Sequence, residues 1–360
     1  MLGKAPLSRH LMTRVGEKRH FFRTWARQNF AREVWSWAWA KSVRSPDAGQ
    51  LAEALALLDG TPTTIIDQED RESPIFILAG GWRTGSTLFQ RILVSDRRLF
   101  LWGEPLGELA ILPSIVQSLY RIIGFPRLDG YYLKEGTKSV ELPTSWIGTL
   151  YPHGTDLRSG LRSLFDRWLA VPARNRGFSR WGFKEVRLGA AEAVLLRWLY
   201  PRAKFIILSR HPYDCYRSLS DSGWHHVFYR RPDVRVDSAG GFARHWNRLA
   251  MSWLQLPEGF PALHVKYEDL TGDSFDFRQL EAWLGIEIEE KTALSTFVGR
   301  TAIRTRLSWY ERMIIKSEAA AGMRALGYSR NVPTSTGAVG GSTSRPAVST
   351  DERNSIVSPR

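Results

Sequence analysis

The residues of this sequence that could do chemistry gather where short apolar runs end. Ile75-Phe76-Ile77-Leu78-Ala79 leads into a glycine-rich turn, Gly80-Gly81-Trp82-Arg83-Thr84-Gly85, and then into Ser86-Thr87-Leu88-Phe89-Gln90-Arg91-Ile92-Leu93. The first run suits a strand buried on both faces, and the last segment suits a helix with Leu88, Phe89 and Ile92 toward a sheet. Strand, glycine loop and helix N-terminus together form an anion site, because backbone N–H groups converge where the helix dipole is positive. The interval from Gly80 to Gly85 fits the phosphate-loop pattern G-x-x-x-x-G-K-[ST] up to its final pair, where Ser86 and Thr87 stand. The missing lysine argues against ATP or GTP hydrolysis. The cation stands inside the loop as Arg83, which suits a shorter anion such as a phosphate carrying one transferable group.

Four further runs end in similar fashion. Leu99-Phe100-Leu101-Trp102 stops at Gly103-Glu104-Pro105, which puts Glu104 at the edge where open α/β sheets place their ligands. Glu104 is therefore a candidate general base, and Glu108, one helical turn on, is its rival. Trp181-Gly182-Phe183-Lys184-Glu185-Val186-Arg187 carries Lys184 near its end. Ala203 to Ser209 delivers Arg210, and proline in His211-Pro212-Tyr213-Asp214 then starts a helix that carries Ser218. A guanidinium grips phosphate with several planar donors, and the serine hydroxyl adds another. Ala262 to Lys266 is a fifth strand, leading into Tyr267-Glu268-Asp269-Leu270.

These segments resemble the sulfotransferase family, whose members use 3′-phosphoadenosine 5′-phosphosulfate (PAPS). WRTGSTL is similar to the family's P-R-S-G-T-T-L loop: Arg83, Gly85 and Thr87 match, while Trp82 replaces proline and Ser86 the first threonine. KFIILSRHPYDCYRSL resembles the second motif, [FY]-I-x-x-x-R-[DNH]-P-x-[DE]-x-x-x-S, and Val265–Leu270 with Leu280–Ile286 resembles V-x-Y-E-D-L…L-x-x-W/F-L-G-I. The resemblance implies an α/β, three-layer P-loop-NTPase-like fold with a central parallel sheet flanked by helices. It implies that Arg83, Thr84, Gly85, Ser86 and Thr87 hold the 5′-phosphosulfate, that Arg210 and Ser218 hold the 3′-phosphate, and that Tyr267 lies near the nucleotide. Arg300, Arg304 and Arg306 are candidates for a late basic segment over the 3′-phosphate. Lys184, in F-K-x-x-R, takes the place of the lysine that contacts the transferring sulfuryl group, although Val186 stands where proline is common. Glu104 matches the acceptor-deprotonating Glu of the protein-tyrosine and bacterial carbohydrate branch. The expected reaction is metal-independent sulfuryl transfer to a hydroxyl of a carbohydrate, glycolipid or natural product, with Arg83 and Lys184 stabilising charge on the departing phosphate oxygen.

Two other readings stay open: a small-molecule kinase with a degenerate P-loop, and a non-catalytic polyanion- or membrane-binding protein on the same scaffold. A net charge of +14 predicts attraction to anionic partners. No zinc-finger, RNP-type or basic-zipper motif accompanies that charge, so nucleic acid is not the expected partner. The single cysteine, Cys215, excludes an intramolecular disulfide and fits a reducing compartment. There is neither an apolar stretch of about eighteen residues nor the apolar core of a secretory signal. The expected location is the cytoplasm, either free or peripheral to the membrane.

The elements that must position these residues divide the chain into a basic, aromatic-rich helical extension at 1–73, a sulfotransferase-like domain at 74–328 and a disordered tail at 329–360. In the extension, His20 to Ala40 reads as an amphipathic helix that either packs its aromatics on the domain or docks on a membrane or partner. A second helix starts at Ser45-Pro46-Asp47 and runs through Leu58. Residues 106–178 read as helices with long, pocket-shaping loops, where His153 is an alternative base; His225 and His226 are others further on. Helices are expected at Ala190–Leu199, Phe242–Leu256, Phe277–Leu284 and Ser308–Ala325.

Overall fold

The computed structural model describes residues 47–59, 72–120, 143, 154–222, 236–272, 275–289 and 305–329. Its five strands are β1 (Ile75–Ala79), β2 (Leu99–Trp102), β3 (Arg180–Glu185), β4 (Lys204–Ser209) and β5 (Ala262–Lys266), at the places the apolar runs predict. They form one sheet in the order β2-β3-β1-β4-β5, and every neighbouring pair is parallel. After β1 the chain goes to the edge at β2, returns to β3 beside β1, and then crosses to β4 and β5 on the other side. This reversal opens a crevice at the C-terminal ends of the central strands.

The described helices of six or more residues are α1 (Ala48–Asp59), α2 (Ser86–Leu93), α3 (Ile111–Tyr120), α4 (Gly154–Phe165), α5 (Ala190–Leu199), α6 (Pro212–Asp221), α7 (Ala239–Trp253), α8 (Phe277–Leu284), α9 (Trp309–Glu318) and α10 (Ala320–Ala325). Side chains of β1 alternate between two cores, as the two-residue period of a strand requires. Ile75, Ile77 and Ala79 join Phe89, Ile92, Leu219, Trp246 and Leu249 on one face. Phe76 and Leu78 join Leu51, Leu55, Phe165, Leu195 and Leu199 on the other. The result is a three-layer, P-loop-like α/β fold. Gly182 lets β3 lie close to its neighbour, since a Cβ there would overlap the Ile75 carbonyl.

Some local expectations shift. In α2 it is Phe89, Ile92 and Leu93 that are buried, with Leu88 only half-covered. The α7 helix begins three residues earlier than the apolar pattern predicts, because Ser238 caps it by accepting from the Gly241 N–H at 3.0 Å. The expected Ser308–Ala325 helix is two helices that meet at Ala319. The second half of the N-terminal extension, α1, packs against α5 in the second core. His20–Ala40, His153, His225, His226, Arg300, Arg304 and the tail beyond Ser329 lie outside the described residues. Among the described residues, no helix is long and apolar enough to cross a membrane.

Candidate active site

The glycine loop is held by the sheet at its start and by its own side chains at its end. Gly80 N–H donates to the Leu208 carbonyl at 2.9 Å, so the turn begins in register with β4. Gly81, Arg83 and Gly85 have φ values of 96°, 65° and 88°. For Arg83 that left-handed conformation costs about 1–2 kcal/mol, which the surrounding contacts must offset. The buried Thr84 hydroxyl donates to the Gly81 carbonyl at 3.1 Å and closes the loop on itself. Ser86 is buried in the first turn of α2 and Thr87 is exposed, at the end where four backbone N–H groups lack helical acceptors.

Residues far apart in the chain meet over this loop. Arg83 Nε donates to Ser218 Oγ at 3.0 Å, and Arg210 Nη1 donates to the Arg83 carbonyl at 3.0 Å. The Arg210 guanidinium lies 4.2 Å from the centre of the Tyr267 ring, and that ring covers Gly85, where a Cβ would overlap it. Arg83, Gly85, Arg210, Ser218 and Tyr267 thus form one cluster. Among the described residues, neither Arg83 nor Arg210 has a carboxylate partner. Two guanidinium groups brought to one turn without a counter-charge make a site for an anion.

A second cluster sits beside it. Lys184 N–H donates to the Gly103 carbonyl at 3.3 Å, extending the β2–β3 ladder by one step and setting Lys184 beside Glu104. Glu104 Oε1 pairs with Lys184 Nζ, and its Oε2 accepts from Arg187 Nη1 at 2.9 Å. Arg187 also approaches Glu185 at 3.6 Å and lies 4.9 Å from the centre of the Trp82 ring. Trp82 packs on the His245 ring at 5.1 Å. His245 Nε2 donates to the Val186 carbonyl at 3.2 Å while Nδ1 accepts from Arg248 at 3.1 Å, which fixes a neutral tautomer. Burial, then the Arg248 charge, hold the His245 pKa well below 6.5. A line of contacts therefore runs from Glu104 through Arg187 to Trp82, the residue before Arg83.

A profile described as the sulfotransferase family matches residues 74–290, a span that holds both clusters. The chain belongs to the sulfotransferase family. Similar solved structures include two sulfotransferase domains. That of the curacin biosynthetic pathway is 18% identical, with 72% of this chain and 98% of that one covered and a TM-score of 0.42. That of the Synechococcus PCC 7002 olefin synthase is 19% identical, with 75% and 93% covered and a TM-score of 0.35. A sulfotransferase from Alicyclobacillus acidocaldarius is 17% identical, with 70% and 94% covered and a TM-score of 0.37. No curated protein matches the chain.

The sequence reading missed Arg187 and His245 at these clusters, and Tyr328, which bonds Ser209 and Glu268 beside them. Arg187 carried a signal, since it is the arginine of F-K-x-x-R, two residues past the end of β3. His245 lies mid-helix among aromatics, and Tyr328 follows a C-terminal helix. Neither position has a local pattern that marks it. Of the remaining candidates, Arg306 is exposed near the start of α9, and Arg304 lies outside the described residues.

Proposed function

We propose that this sulfotransferase takes its sulfuryl group from PAPS and delivers it to a hydroxyl of a carbohydrate, glycolipid or natural product, with Glu104 as general base. The observation that carries the reading is the pair of guanidinium groups, Arg83 and Arg210, without a carboxylate partner among the described residues and gathered with Ser218 over a glycine loop at a helix N-terminus. Such a surface suits a nucleotide with phosphate at both ends. The loop, Arg83, Thr84, Ser86 and Thr87 take the phosphosulfate, and Arg210 with Ser218 takes the 3′-phosphate. Tyr267 offers its ring to the adenosine. In the described structure Arg83 leans to Ser218, so it links the two phosphate subsites.

PAPS is a substrate, consumed at each turnover. The acceptor oxygen forms a bond to sulfur as the bond from sulfur to the phosphate oxygen breaks. The electron pair leaves with that oxygen, and the acceptor proton passes to Glu104. Lys184 and Arg83 stabilise charge on the sulfuryl and leaving phosphate groups without reorganising solvent. Because both oxygens of Glu104 are bonded to cations, one must be released before it can take the proton. Lys184 is the group placed to move, being shared between Glu104 and the proposed sulfuryl position. Arg187 holds the other oxygen.

The test is transfer of label from radioactive PAPS to acceptors in a host extract. Glu104→Gln should lower turnover by about 10²–10⁴-fold while 3′,5′-adenosine bisphosphate still binds. Unchanged turnover would remove Glu104 as the base. A protein that transfers nothing and binds no bisphosphate would remove the donor.

A further inference from the structure

We propose that Tyr328 and Glu268 form a bracket that positions Arg210 and Tyr267 for the nucleotide, so that Tyr328 is a positioning residue for donor binding. The proposal rests on the donor reading above. It adds a residue from beyond the span matched by the family profile, 74–290.

The bracket is a set of bonds on either side of Arg210 and Tyr267. Ser209 Oγ and Tyr328 Oη are 3.0 Å apart, and Tyr328 Oη donates to Glu268 Oε2 at 3.1 Å. With its proton given to the carboxylate, the tyrosine oxygen accepts from Ser209. The other oxygen, Glu268 Oε1, accepts from the His211 N–H at 2.9 Å. His211 Nε2 donates to the Ser329 carbonyl at 2.9 Å, and Trp246 Nε1 donates to the Arg210 carbonyl at 3.1 Å. The segment is therefore tied at the Ser209 side chain and at the Arg210 and His211 backbone, and each tie comes from a different part of the chain.

The Arg210 side chain needs that support. Its described partners are the Arg83 carbonyl and the Tyr267 ring face, and its charge must still point at an anion. Both partners are soft guides, so the direction of Arg210 depends on the backbone beneath it. Glu268 is the key connector: it follows Tyr267 directly and bonds the residue after Arg210, coupling the two strand ends at β4 and β5. Tyr328 holds Glu268 in that role. Its ring lies 5.3 Å from His211 and 6.1 Å from Trp246. Burial and the Glu268 charge raise the Tyr328 pKa, so the hydroxyl keeps its proton throughout the working pH range.

Tyr328→Phe keeps the ring and removes only the hydroxyl. In the full chain it should raise the calorimetric Kd for 3′,5′-adenosine bisphosphate by about tenfold, the size of one lost hydrogen bond to a charged group. The KM for PAPS should rise by a similar factor with kcat unchanged, and hydrogen exchange at the His211 amide should quicken. Glu268→Gln, which keeps shape but not charge, should move the same quantities in the same direction and carries the test if Tyr328→Phe folds poorly. A purely structural role would lower the melting temperature and leave Kd and KM at wild-type values. That result, with the wild type binding normally, overturns the bracket. A wild type that ignores the bisphosphate overturns the donor reading, and the positioning role with it.

Discussion

Gly85 is constrained twice over, by a φ of 88° and by the Tyr267 ring lying where a side chain would go. Gly85→Ala should therefore cost about 1–3 kcal/mol, seen as a lower midpoint in urea unfolding. Binding of adenosine bisphosphate should fall with it, since the ring that must move is the one stacked on Arg210. At this scale the sequence was most informative where a residue type has one physical use. Glycines at fixed intervals after an apolar run mark a turn, and Arg83, Arg210 and Ser218, read as one group, do meet over it. It was silent on what holds those groups. Ser209 and Tyr328 are joined across more than a hundred residues, and no local period records such a bond.

The elements were legible because the central strands β1 and β4 are short apolar runs covered on both faces, and β2, β3 and β5 still end at turns with charged residues. All five were readable, and so was the loop between β1 and α2. Helix ends were less so, because a cap such as Ser238 or a break such as Ala319 overrides the apolar period. Two glycines separate the demands of sheet and helix. Gly182→Ala drives a Cβ into the Ile75 carbonyl, so β1 and β3 must part; the variant should lose the cooperative thermal transition or melt far below wild type. Gly160, exposed in α4 with no atom near its absent Cβ, is the opposite case. Gly160→Ala should stabilise by about 0.5–1 kcal/mol, measurable by denaturant titration.

Among the described residues, pH enters through three histidines. His211, His245 and His264 all have pKa values lowered from 6.5, first by burial. An unfolded chain protonates them near that value while the folded one resists, so stability is complete above it and declines as pH falls below it. Melting temperature should drop between about pH 6.5 and pH 5, and His245→Gln should flatten that slope. A variant with the wild-type slope would assign the loss to other groups. The arginine cluster has a consequence of its own for handling the protein. Packing elsewhere holds like charges together at the sheet edge, against their mutual repulsion and within a chain of net charge +14. A dianion settling there would relieve that tension, so the proposed nucleotide would stabilise its own cradle. Material purified in its presence should survive heat and storage that spoil the bare protein.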